Sequence, residues 1–105
     1  MIISLCYITI NSPEGAKQLG TLAIEQKLAG CSNVFSIQSQ FPWNNAMQHE
    51  QEYVLLLKTI PGKKNELQDL ILKEHPYDIP VFLSWEAEVN EAYGQWITEN
   101  MNPTD

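Results

Sequence analysis

Two prolines four positions apart, Pro76 and Pro80 in the run His75-Pro76-Tyr77-Asp78-Ile79-Pro80, constrain this chain more than any other feature. Each proline holds φ near about −65° and pushes the residue before it, His75 or Ile79, out of the helical region. A helix must therefore end here and a rigid, extended turn must follow. The turn runs straight into the apolar segment Val81-Phe82-Leu83-Ser84-Trp85, which reads as a strand. Rigid backbone carrying an imidazole and a phenol is a candidate site; the plainer reading is a helix stop followed by a strand start.

Similar punctuation divides the rest of the chain. The nearly continuous β-branched run from Ile2 to Ile10 predicts a strand buried on both faces or central in its sheet. Ser12 and Pro13 predict a helix N-cap and first helical position. Ala16, Leu19, Leu22, Ala23 and Leu28 recur at helical spacing, which predicts a helix over 13–29 closed by Gly30 in the left-handed conformation. A second strand from Cys31 to Phe41 turns at Pro42-Trp43-Asn44-Asn45 into a third, Met47 to Thr59, paired antiparallel with it. Pro61 opens a second helix, with Leu67, Leu70, Ile71 and Glu74 at spacings of three and four. Val81 to Glu88 is the fourth strand, and Asn90 to Met101 a short amphipathic helix presenting Tyr93, Trp96, Ile97 and Met101 on one side.

The order β-α-β-β-α-β with an added C-terminal helix predicts an α+β, ferredoxin-like sandwich: a four-stranded antiparallel sheet backed by two helices. The 105 residues suffice for one core, and we read 1–105 as one domain. Strands two and three are long for such a domain, and their far ends would project as unpaired edges unless another chain covers them. An oligomer is therefore expected.

Charge and cysteine usage exclude some partners. The 13 acidic residues face 6 lysines and no arginine, a formal net charge of −7, so the chain offers no guanidinium fork for phosphate or guanine. Nucleic acid is not an expected partner. Two cysteines, Cys6 and Cys31, are fewer than a secreted scaffold of this size usually carries, which points to free thiols in a reducing cytoplasm. The apolar N-terminus lacks a basic leader region, and no apolar run approaches the roughly 20 residues that cross a bilayer, so no membrane partner is expected. Neither a Ser-His-Asp order, a Gly-rich phosphate loop, a CxxC pair nor an HExxH helix occurs, and an enzyme is not expected.

Three ordered blocks resemble the CutA family of divalent-cation tolerance proteins over nearly the whole length. Leu28-Ala29-Gly30-Cys31-Ser32-Asn33 is similar to the family's Leu-Ala-Ala-Cys-x-Asn. Phe41-x-Trp43, with Glu52 and Leu57-Lys58-Thr59, resembles its Tyr-x-Trp hairpin and terminal Lys-Thr. His75-Pro76-Tyr77-Asp78-Ile79-Pro80 resembles its His-Pro-Tyr-x-x-Pro, and Asn90, Tyr93, Trp96 and Ile97 agree with its closing helix. The resemblance implies a tight homotrimer whose long hairpin strands are shared between subunits, a role linked to copper and other divalent cations, and no established catalytic activity. Its trimeric architecture is similar to that of the PII signal proteins. This chain departs from the pattern at Phe41, Asn45 and Val81, where many members have Tyr, Gly and Glu. The metal-binding pattern that the resemblance implies, a Cys on strand one and a His pair before the proline, falls here on Ile8 and on Glu74-His75.

His75 is accordingly the candidate ligand for copper or another divalent ion, with Glu74 as an oxygen donor. Cys6 lies two residues from Ile8 on the same strand face and is a candidate thiolate; the plainer reading makes it a small core residue. Cys31, after a helix C-terminus, is a poor nucleophile candidate. His49, beside Glu50 and Glu52, reads as part of a solvated hairpin or an opportunistic cation contact. Lys58 inside an apolar strand needs a partner, and Glu52 is six residues away. The alternative function is a PII-like module that binds a small anionic metabolite between subunits, with Lys58, Tyr77 and Trp43 as its ligand-binding residues.

Overall fold

The computed structural model describes residues 1–102 and contains β1 (Ile2–Ile10), α1 (Pro13–Glu25), β2 (Cys31–Trp43), β3 (Ala46–Thr59), α2 (Lys64–Glu74), β4 (Leu83–Glu88) and α3 (Glu91–Asn100). The four strands form one antiparallel sheet in the order β2-β3-β1-β4. This is the α+β, ferredoxin-like order that the punctuation predicts.

Register divides the side chains between the two faces, since directly paired residues share a face. On one face Cys6, Ile8, Ile10, Leu55 and Leu57 pack against Ala16, Leu19 and Ala23 of α1 and Leu67 and Ile71 of α2, forming the core. On the other lie Leu5, Tyr7, Leu56, Phe35, Leu83 and Trp85, which neither α1 nor α2 covers. Asn44 and Asn45, with φ of 53° and 63°, make a two-residue turn between the paired Trp43 and Ala46. Both are left-handed, as a type I′ hairpin turn requires, and asparagine tolerates that conformation better than most residues. The β1 ladder reaches only to Ile10 opposite Tyr53, so β3 from Ala46 to Glu52 is paired with β2 alone and the hairpin protrudes. The described chain measures 48 × 26 × 20 Å.

Several boundaries differ from expectation: β2 runs on through Pro42 to Trp43 rather than ending at Phe41, so that only Asn44 and Asn45 turn. Helix α1 stops at Glu25 rather than at residue 29, and Lys27 at φ 62°, not Gly30, supplies the left-handed residue. Its stop is a Schellman motif: Leu28 N–H donates to the Ala23 carbonyl and Lys27 N–H to that of Ile24, both at 3.0 Å. Helix α2 is preceded by a separate 3-10 turn, Pro61–Lys63. Strand β4 starts at Leu83 rather than Val81, because the β1–β4 ladder ends at Tyr7 opposite Leu83 and the next free carbonyl on β1, that of Thr9, is taken by His75 instead.

Candidate functional site

The proline turn is locked by hydrogen bonds from both nitrogens of one ring. His75 leaves the helix at φ −72°, ψ 136°, as a residue before proline must, while its own N–H still donates to the Ile71 carbonyl at 2.9 Å. Its imidazole is 7% exposed. Nδ1 accepts the Tyr77 backbone N–H at 3.1 Å, which places the ring proton on Nε2, and Nε2 donates to the Thr9 carbonyl at 2.8 Å. The Tyr77 ring stands edge-on to His75 at 4.6 Å, and its hydroxyl donates to Glu52 Oε2 at 2.8 Å. Burial, then the hydrogen bond and charge of Glu52 and the charge of Glu50, push the Tyr77 phenol well above its usual range, so it stays a donor. The chain Thr9, His75, Tyr77, Glu52 ties β1, the turn and β3 together.

The residues expected to hold a metal do not converge. Cys6 is fully buried on the helix face of the sheet, whereas Glu74 is exposed at the end of α2. Burial pushes the Cys6 thiol up to about 11, against a weaker pull from Lys64, so the thiolate that a metal requires is disfavoured. Both His75 lone-pair sites are committed, one as acceptor and one as N–H. Among the described residues no group of three or more His, Cys, Asp or Glu gathers in one place. As it stands, His75 with Glu74 and Cys6 does not fit a metal ion. His49 is exposed on the hairpin.

The buried thiol has a measurable consequence. Native protein treated with a thiol reagent at pH 8 should show no more than one fast-reacting cysteine, Cys31, with Cys6 reacting only on unfolding; two fast thiols would contradict its burial. With burial pushing the folded thiol from its ordinary 9.0 up to about 11, the protonated form's contribution to stability is whole below pH 9 and is lost as pH rises toward 11. Thermal midpoints should fall across that window, and Cys6→Ala should reduce the fall.

The residues proposed for an anionic ligand are also separated. Lys58 lies at the far end of the open face, opposite Leu5 and Cys31, and its ammonium donates to the Tyr93 hydroxyl at 3.1 Å while sitting 5.2 Å over that ring. This answers the need for a partner within the chain, from a residue 35 positions away. Tyr77 and Trp43, by contrast, wall a cleft of about 570 Å³ between the open face of the hairpin and the proline turn, together with Phe41, Ile79 and Val81. Its charged groups are Glu50, Glu52 and Asp78. The cleft is acidic where a basic one was expected. Its signal in the sequence is the even spacing of Phe41 and Trp43, and of Glu50 and Glu52, about a two-residue turn, which puts all four on one face.

The profile of the CutA1 divalent ion tolerance protein family matches residues 4–100. The divalent-cation tolerance protein CutA of Thermotoga maritima is 31% identical over 98 residues, 92% of this chain and 97% of that one. Its counterpart from Thermus thermophilus is 32% identical over 95 residues, 89% and 92% of the two chains. Among solved structures, CutA1 from Ehrlichia chaffeensis superposes with a TM-score of 0.92 at 29% identity, covering 95% of each chain. The periplasmic divalent cation tolerance protein CutA from Archaeoglobus fulgidus superposes with a TM-score of 0.89 at 30% identity, covering 95% of this chain and 99% of that one.

Proposed function

Because the chain belongs to the CutA1 divalent ion tolerance protein family, we propose that it serves divalent-cation tolerance, copper included, as a non-catalytic homotrimer in the cytoplasm. The observation that carries the assembly is the open sheet face. Phe35, Leu83 and Trp85 stand there about half exposed, beside Leu5, Tyr7 and Leu56. An apolar face of that extent on an antiparallel sheet favours burial against another surface. The protruding hairpin supplies one: in a closed ring of three, each hairpin lies along the next subunit's sheet, and strand edges and apolar faces are covered together.

Other features support the rest of the reading. Both cysteines are free, which suits a reducing compartment. The −7 charge per chain raises the local concentration of divalent cations around an assembly. The turn's imidazole and phenol are spent on structure, and the buried thiol is poorly nucleophilic, so none of these groups is poised for catalysis. A small anionic metabolite is disfavoured because Lys58 stands apart from the cleft walled by Tyr77 and Trp43, whose charged groups are Glu50, Glu52 and Asp78.

The test is the pair Phe35→Glu with Leu83→Glu, both exposed and so tolerated by the subunit's own core. The variant should fall to the 12.0 kDa mass of one chain and should fail to restore copper tolerance to cells lacking their own CutA, where the parent chain restores it. A variant that keeps the parent's mass would refute the assembly through this face, and a parent chain that restores no tolerance would refute the role.

A further inference from the structure

We propose that the Lys58 ammonium of one copy enters the acidic cleft of the next and pairs there with Glu50, so that each cleft is completed by a residue of a neighbouring subunit. The pairing rests on the ring proposed above and names the contact that sets the order of its subunits.

The charges of the open face are sorted by end. Of the six lysines only Lys58 lies on a strand; the others lie on α1, on α2 or in the turns beside them. Lys58 shares its end of the face with Leu5 and Trp85. The carboxylates Glu50, Glu52 and Asp78 gather at the hairpin end, around the cleft. Glu50 and Lys58 are eight residues apart on one strand, roughly 26 Å at about 3.3 Å per residue, and cannot meet within a chain. A face with its cation at one end and its carboxylates at the other is complementary to a second copy set head to tail, the arrangement a closed ring of three requires.

Both ends are built for the contact. Lys58 is half-buried and held by the Tyr93 hydroxyl and ring, and Trp96 stacks against Tyr93 at 5.6 Å. These partners are neutral, and the ion pair among the described residues joins Lys63 with Glu66, so the Lys58 charge is unmatched in its own chain. Once the next hairpin covers the face the ammonium loses water, and a buried ammonium without a counter-charge is costly. In the cleft Glu52 already accepts the Tyr77 hydroxyl, whereas Glu50 is exposed and free to accept. The rings of Phe41, Trp43 and Tyr77 attract an ammonium and pack against its methylene stem.

Sedimentation of the full chain tests the pair, in the urea concentration that half dissociates the parent. Glu50→Gln and Lys58→Met should each raise at least ten-fold the protein concentration at which half the chains are single, and the two together should do little more than either. Exchanging the charges, Glu50→Lys with Lys58→Glu, should recover most of what Glu50→Lys alone loses. Glu50 is exposed and Lys58 lies outside the core, so the neutral variants keep the subunit's fold, which circular dichroism checks. Effects that simply add, or an exchange no better than Glu50→Lys alone, overturn the pair while a parent mass of three chains upholds the assembly. Coupling of Lys58→Met with Asp78→Asn in place of Glu50→Gln moves the contact to Asp78 and overturns the assignment to Glu50. A parent chain that sediments at 12.0 kDa overturns the pair and the ring together.

Discussion

Replacing His75 with alanine is expected to destabilise the folded chain by about 2–4 kcal/mol and to leave the copper held per chain unchanged. The substitution strips the Thr9 carbonyl and the Tyr77 N–H of their partners at once. Each unpaired buried backbone group costs about 1–3 kcal/mol, and partial access of water to the turn returns some of that. With the ring gone, Tyr77 loses its edge-on neighbour and its hold on Glu52 loosens. Urea unfolding measures the first part, and equilibrium dialysis against copper the second. His75→Asn, whose side-chain oxygen sits where Nδ1 does, should recover part of the stability. A His75→Ala protein as stable as the parent but short of one copper per chain would reverse the assignment and make the imidazole a ligand.

Gly30→Val should cost about 3 kcal/mol or more and release α3 from the sheet. Gly30 is pinned on both sides, its N–H donating to the Lys58 carbonyl at 2.9 Å and its own carbonyl accepting from Asn100 Nδ2 at 3.0 Å. A Cβ here would lie 2.5 Å from the Ile97 carbonyl oxygen and 3.0 Å from its Cγ2. The obstacle is backbone, so no rotamer change relieves it, and overpacking of this kind costs about 1–3 kcal/mol before anything else is lost. If α3 moves, Ile97 and Met101 leave the core and the Tyr93 partner of Lys58 goes with them; exposing one such apolar side chain costs about 1.5–3 kcal/mol more. Amide exchange across Glu91–Asn100 should rise well above that of β1. Even the single methyl of alanine would meet this carbonyl, so α3 sits closer in this chain than a methyl group would allow. A valine variant within half a kcal/mol of the parent, about the scatter of surface substitutions, would show that α3 adjusts freely.

Local chemistry made the element order legible. Ser12 caps α1, accepting the Gly15 N–H at 3.0 Å, and the paired asparagines turn the hairpin. Proline ends α2, and an uninterrupted apolar run marks β1 as central. The stop of α1 was not legible, because the left-handed residue is Lys27, which carries no intrinsic signal and is held by Schellman bonds. Gly30 was legible as a special position for the wrong reason: it serves the close approach of Ile97 in α3, 67 residues later in the chain, and not a turn.

The site divided along the same line. His75 and Tyr77 stood out because prolines bracket them, but their partners, Thr9 and Glu52, are joined to them only by the sheet. The sign of the cleft depends on which residues share a face across the hairpin, and that follows from the register set at Asn44-Asn45. Lys58 reads from sequence as a charge in search of an anion, and its answer is a tyrosine on a different element.

Light scattering from the unmodified chain at micromolar concentration tests the central claim most directly, that the open apolar face and the protruding hairpin are buried between copies of this chain. The mass should be three times the 12.0 kDa of one chain and should not change on ten-fold dilution. A mass of 12.0 kDa, with Phe35, Leu83 and Trp85 left in water, would contradict it.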